Sequence, residues 1–156
     1  MIELDPRTSA LVLIDLQKGI LGRALTPVTS QELLARGQAL AERFRAAKAT
    51  VVLVNVAFAP DGADMLRQPV DQAQPLPAGG LPAGWNEFPA GLMQSGDLQI
   101  TKRQWGAFYG TEMDLQLRRR GIRTIVLAEG HDMSMKHIMP RLGRIVQSSD
   151  ITLTRR

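Results

Sequence analysis

Two short apolar runs constrain this chain more than any other feature. Ser9-Ala10-Leu11-Val12-Leu13-Ile14 is uncharged, rich in strand formers, and bounded by Pro6 behind and Asp15 ahead. Val51 to Val56 is a second run of the same kind. A continuous apolar run of this length suits a strand buried on both faces, as in a parallel sheet. Between the two, Leu33, Leu34, Gly37, Leu40, Ala41 and Phe44 recur at helical spacing in a run extending to Ala47, with Thr29 and Ser30 as candidate N-caps. Strand, helix, strand predicts a right-handed βαβ unit and a parallel sheet.

The alternation resumes late in the chain. Leu98 to Thr101 reads as a third strand ending at Lys102, Thr111 to Arg120 as a helix with Thr111 as its cap, and Thr124 to Leu127 as a fourth strand. Between Ala59 and Gly96 lie six of the nine prolines, which predicts an ordered, stiff excursion acting as a lid or binding loop. After the fourth strand the pattern is less regular. Ser134 to Arg141 fits a short helix, Arg144 to Gln147 a last short strand, and Ser148 to Asp150 a turn or helix start. At 156 residues the chain reads as a single domain spanning 1–156, with enough length for a real core.

Composition excludes several classes. Hydrophobic content of 44% and charged content of 22% are those of a globular protein, so wholesale disorder is excluded. No apolar run approaches the roughly 20 residues that span a bilayer, and the start has neither a basic nor an apolar leader segment. No membrane partner is expected, and the cytoplasm is the default location. The sequence has no cysteine, which removes disulfides, Cys-ligated zinc and a thiol nucleophile from the residues present. Net charge is +4, but the basic residues are dispersed and no nucleic-acid module is visible, so no nucleic-acid partner is expected. The one dense cluster, Arg118, Arg119 and Arg120 before Gly121, fits the last turn of a helix, where cations are favoured. An anion-binding surface and a subunit contact are the alternatives.

In open parallel sheets, ligands bind beyond the carboxyl ends of the strands. Asp15 and Lys102 both fall there, on different strands. A carboxylate and an ammonium in one crevice can share proton work. The alternative is structural: Asp15 caps the turn after its strand and Lys102 pairs with it. Trp105, Phe108 and Tyr109 lie within five residues of a chain that is 4% aromatic. Such a cluster can wall a pocket, anchor a subunit interface, or plug the core locally.

The stretch Ala10-Leu11-Val12-Leu13-Ile14-Asp15-Leu16-Gln17-Lys18-Gly19, followed by Lys102-Arg103-Gln104-Trp105-Gly106-Ala107-Phe108-Tyr109-Gly110-Thr111, resembles the isochorismatase-like hydrolases. So does Asp114 to Ile122, followed by Thr124-Ile125-Val126-Leu127. The resemblance is close over residues 3–128 and resumes at 129–151. It implies a three-layer α/β/α, Rossmann-like fold with a mostly parallel six-stranded sheet. It also implies hydrolysis of a small amide, such as a nicotinamide or carbamoyl compound, or of a vinyl ether. The family's triad is Asp, Lys and Cys, so Asp15 matches the general base and Lys102 its cationic partner. The substrate pocket is expected to be formed by Asp15, Gln17, Lys102, Arg103 and Trp105 under the 59–96 loop, with Phe108 and Tyr109 also binding substrate. Members commonly form dimers or tetramers around the aromatic stretch, so a homo-oligomer is expected, and no cofactor is implied.

The family's cysteine and oxyanion hole lie at the start of the helix after the fourth strand. Here Leu127-Ala128 runs directly into Glu129-Gly130-His131-Asp132, where relatives have roughly 35 more residues forming that helix and a fifth strand. Either residues intervene that this sequence lacks, or the deletion is real and is repaired by rearrangement or by a partner chain. A real deletion leaves a gap about one strand wide, ~4.8 Å, so the final strand must move over or remain unpaired. In the branch with the Trp-Gly-Ala-Phe-Tyr-Gly pattern, glycine often stands at the nucleophile position. A non-catalytic binding or scaffold protein of the same fold is therefore the alternative to a hydrolase. No metal is expected: Ala57 to Asp64 lacks the histidine of the nicotinamidase-type cluster, and His131 and His137 do not have the i, i+4 spacing of a helical zinc site. Ser134 has nothing to place it beside Asp15.

Overall fold

The computed structural model describes residues 2–24, 28–69, 71, 79–128 and 144–154. The elements in order are β1 (Ile2–Leu4), β2 (Ser9–Ile14), α1 (Lys18–Leu21), α2 (Ser30–Ala46), β3 (Thr50–Val56), β4 (Leu98–Lys102), α3 (Met113–Arg119), β5 (Thr124–Ala128) and β6 (Ile151–Leu153). A single 3₁₀ turn, Ser148–Asp150, leads into β6. Four strands form one parallel sheet in the order β4-β3-β2-β5, and β1 pairs with β6 in a separate parallel pair. The α/β class is as the sequence implies, but the six described strands are divided four and two.

The two central strands, β2 and β3, are buried because they are apolar on both faces. Leu11, Leu13, Val51 and Leu53 point to the α2 side, where they meet Leu40, Ala41 and Phe44. Ala10, Val12, Ile14, Val52 and Val54 point to the α3 side and meet Met113 and Leu117. This is the alternation of a pleated strand with both faces covered. Gly37 lets α2 approach: a Cβ there would stand 2.7 Å from Leu16 Cδ1.

Helix α2 starts at Thr29, whose hydroxyl accepts from the Glu32 amide at 3.2 Å while the Glu32 carboxylate accepts from the Thr29 amide at 3.1 Å. This capping box satisfies two otherwise unpaired donors. Helix α3 begins two residues later than expected. Thr111 directs its hydroxyl to the Ala107 carbonyl at 2.5 Å and so closes the preceding turn, leaving Glu112 at the cap position. The helix ends as expected. Gly121, at φ +69, passes its amide to Arg118 O, and Ile122 passes its amide to Leu117 O. Arg118 and Arg120 are held on the helix itself, by Asp114 and by Gln116.

One strand assignment is overturned. Residues 144–147 have no regular structure, and the last strand is Ile151–Leu153. Ile145 and Val146 are adjacent and cannot share a strand face, and Ile145 is left 47% exposed while Ile151 is buried. The final strand has not joined β5. It pairs with β1, and Leu4 and Leu153 pack on the α2-side core. The junction after Ala128, the helix expected at 134–141, and Ser134, His131 and His137 lie outside the described residues. Among the described residues no helix is long and apolar enough to cross a membrane.

Candidate functional site

Strand β2 ends against β3 through a last rung, Asp15 N to Val54 O at 2.9 Å, and then turns sharply. Asp15 sits at φ +64, a left-handed conformation that Asp tolerates better than most residues. Such a conformation costs on the order of 1–3 kcal/mol and persists only where surrounding contacts hold it. One such contact is Lys102. It ends β4, two strands away, and its side chain spans the end of β3 to place Nζ 3.0 Å from Asp15 Oδ2. The side chains are 5% and 12% exposed, so the ion pair is largely desolvated. Lys102 Nζ also donates to the Trp105 carbonyl at 3.2 Å. Asp15 Oδ1 is buried and has no hydrogen-bond partner. A buried acceptor without a donor is costly, which favours any molecule that brings an N–H or O–H to it.

Gln17 follows Asp15 by two residues in the chain. It is fully buried, and its amide is spent on backbone. Its Oε1 accepts from Val56 N at 2.7 Å, and its Nε2 donates to Val56 O at 3.0 Å and to Trp85 O at 3.2 Å. These bonds belong to a clamp that closes residues 85–87 over the ends of β2 and β3. Gly19 N also donates to Trp85 O, Asn55 Nδ2 to Asn86 O, and Lys18 N to Glu87 O, at 2.8 Å each. The Lys18–Glu87 ion pair at 2.6 Å closes it from outside. The proline-rich excursion is thus anchored at its C-terminal end, where Leu92 is fully buried in the core.

The remaining candidates stand further out. Arg103 Nε contacts Asp64 Oδ2 at 2.6 Å, and Asp64 Oδ1 accepts from the Ala59 amide at 2.7 Å. The Asp64 carboxyl is held below the usual aspartate range, chiefly by that amide and further by Arg103, against the opposing effect of partial burial. Trp105 and Tyr109 are 79% and 80% exposed and Phe108 is half-exposed. Trp105 meets the ion pair through its carbonyl. A concavity of about 580 Å³ lined by Gln99, Ile100, Thr101, Gly110, Thr111 and Glu112 lies elsewhere, against β4. Among the described residues no group of three or more His, Asp or Glu side chains could hold a metal ion.

Sequence reasoning missed Asn55, Trp85, Glu87 and Asp64. Asn55 did carry a signal, as the one polar side chain inside the second apolar run. The other three lie in the irregular excursion, where no period marks them.

The isochorismatase domain model matches residues 9–130. An uncharacterized isochorismatase family protein from Escherichia coli O157:H7, YecD, is 42% identical over 186 residues, covering 97% of this chain and 98% of the relative. That stretch is 30 residues longer than the chain itself (186 against 156), so the relative carries at least that many residues with no counterpart here. Among solved structures, an isochorismatase family protein from Burkholderia thailandensis superposes with TM-score 0.83 at 32% identity, covering 95% of each chain. N-carbamoylsarcosine amidase from Thermoplasma acidophilum matches with TM-score 0.58 at 25% identity, over 77% of this chain and 66% of that one. A strained Asp at the end of one parallel strand, paired with a buried Lys from another, is thus set in a sequence and fold that place the chain in the isochorismatase family.

Proposed function

We propose that this chain hydrolyses a small amide, or a related C–N- or ether-bearing metabolite. Asp15 serves as general base, Lys102 as its cationic partner and water as the nucleophile. The observation that carries this reading is the unpartnered Asp15 Oδ1 beside the Lys102 ammonium, beyond the carboxyl ends of parallel strands. Asp15 takes a proton from water as the oxygen adds to the amide carbon. When the C–N bond breaks, the same proton passes to the leaving amine. Lys102 Nζ holds the Asp15 carboxyl in place through its hydrogen bond to Oδ2. Water is assigned the nucleophile's part because the sequence has no cysteine. The likeness to an amidase favours the amide class. In this reading Arg103, Trp105, Phe108 and Tyr109 contact the substrate, Gln17 fixes the Val56 and Trp85 backbone through its amide, and the protein works in the cytoplasm as a homo-oligomer.

The test is ammonia or amine release from a panel of primary amides and carbamoyl compounds. Turnover that falls at least about 100-fold in both Asp15→Asn and Lys102→Ala supports the assignment. The absence of a thiol favours a second reading, a non-catalytic binding protein. Saturable binding of a panel member by calorimetry, with no product released, would establish that reading in place of the first.

A further inference from the structure

Asn55 is the polar residue in the buried stretch of β3. Val51 to Val54 before it are apolar, and all five residues are buried. A valine at this position would need no hydrogen-bond partner, whereas a buried amide left unpaired is costly. The fold supplies partners at both ends of the amide. Nδ2 donates to Asn86 O, in the clamp of residues 85–87, at 2.8 Å, and Oδ1 accepts from Thr101 Oγ1 at 2.9 Å. The first bond fixes the amide's orientation, because a reversed amide would set Oδ1 against the Asn86 carbonyl. The Thr101 hydroxyl is then the donor of the second. In the parallel register Asn55 stands opposite Thr101, and Val56 opposite Lys102. Thr101 therefore comes one residue before the side chain whose ammonium lies 3.0 Å from Asp15 Oδ2.

We propose that Asn55 is a positioning residue. It joins the 85–87 clamp to the end of β4, so that closure of the clamp seats Lys102 against Asp15. Gln17, two residues after Asp15, ties the same clamp to Val56 through Trp85 O and the Val56 backbone. The Asn55 path reaches β4 instead, the strand that carries Lys102. The clamp is thus tied by buried amides on both sides of the ion pair, and each amide is locked by bonds to groups distant in sequence. Site groups are held in place by such supporting contacts, and a loosened support costs rate before it costs affinity. The effect on rate rests on the amide-hydrolase reading above; the seat of the ammonium does not.

The Lys102 ammonium resonance, followed by NMR in the full chain, reads that seat without turnover. Hydrogen exchange of the Lys18 and Gly19 amides, which donate to Glu87 O and Trp85 O, reads the clamp. Asn55→Val should shift the resonance and speed both amides about fivefold or more. Thr101→Val, which removes only the hydroxyl, should shift the resonance in the same direction and leave the two amides within about twofold of wild type. Thr101→Ser keeps the donor and should restore the wild-type resonance. On an amide that the wild type hydrolyses, both valine variants should lower kcat about fivefold with KM within about twofold, and Thr101→Ser should keep at least about half of kcat. Should Asn55→Val fail to fold, the Thr101 pair decides alone. The proposal is overturned by a Lys102 resonance that Asn55→Val and Thr101→Val leave in place, which would make Asn55 a tie for the clamp alone. It is equally overturned by clamp amides that Asn55→Val does not speed, or by a Thr101→Ser no closer to wild type than Thr101→Val. A wild type that releases no product from any amide removes the hydrolase reading and leaves the resonance series to decide.

Discussion

A Cβ built on Gly19 would lie 2.0 Å from Trp85 Cδ1, with two more ring atoms within 2.3 Å. Both partners are clamped, Gly19 by its amide on Trp85 O and Trp85 by Gln17, so neither yields easily. Gly19→Ala is expected to cost roughly 1–3 kcal/mol in urea unfolding and to shift tryptophan emission as the ring is displaced. Gly106→Ala, where nothing lies within 4 Å, should change stability by less than about 0.5 kcal/mol. Asp64 makes a prediction about pH. Its carboxyl is held below the usual aspartate range in the folded chain, so the folded state binds that proton less readily than the unfolded one. The stability it contributes is therefore present above the unfolded value and is lost as pH falls through the folded one. In an acid titration followed by NMR, the Ala59 amide should move upfield as its bond to Asp64 breaks. That midpoint should rise toward the ordinary aspartate value in Arg103→Gln.

Helix α2 shows how much the sequence declares about an element. Thr29 is followed three residues later by Glu32, and the capping box they form is present in full. Thr29→Ala should cost about 1 kcal/mol in the same unfolding experiment. Elements with a strong period or a long apolar run were legible: β2, β3, β4, β5 and the body of α2 stand where the residues predicted them. Legibility failed where a residue's partner is distant in sequence. Residues 144–147 looked like a strand on composition, but pairing with β1 selected Ile151–Leu153, and β1 itself was too short to notice. The Asp15–Lys102 pair was legible from its two strand ends because a parallel sheet brings such ends together. Gln17 was expected to face the substrate. Its burial follows from hydrogen bonds to Val56 and Trp85, 39 and 68 residues away, which no local pattern encodes.

At the scale of the whole molecule, the β1–β6 pair forms a sheet of its own, separate from the four-stranded one. Leu4 and Leu153 pack on the α2-side core. One side chain of α2 supplies a polar tie. Arg43, on α2, donates to Ser148 O at 2.8 Å and to Ile151 O at 2.5 Å, gripping both the 3₁₀ turn and the strand that follows it. Hydrogen bonds that involve a charged group contribute about 1.5–3 kcal/mol. The pair is thus expected to open as a unit below the global unfolding limit, since such units coincide with weakly tied supersecondary pieces. Arg43→Met keeps most of the stem's packing and removes the donors. In native-state hydrogen exchange, the β1 and β6 amides should then exchange at least about tenfold faster, the equivalent of ~1.4 kcal/mol, while β2 and β3 amides keep their protection. Equal acceleration in all four strands would mean that the pair and the sheet unfold together, with Arg43 stabilising the molecule as one piece.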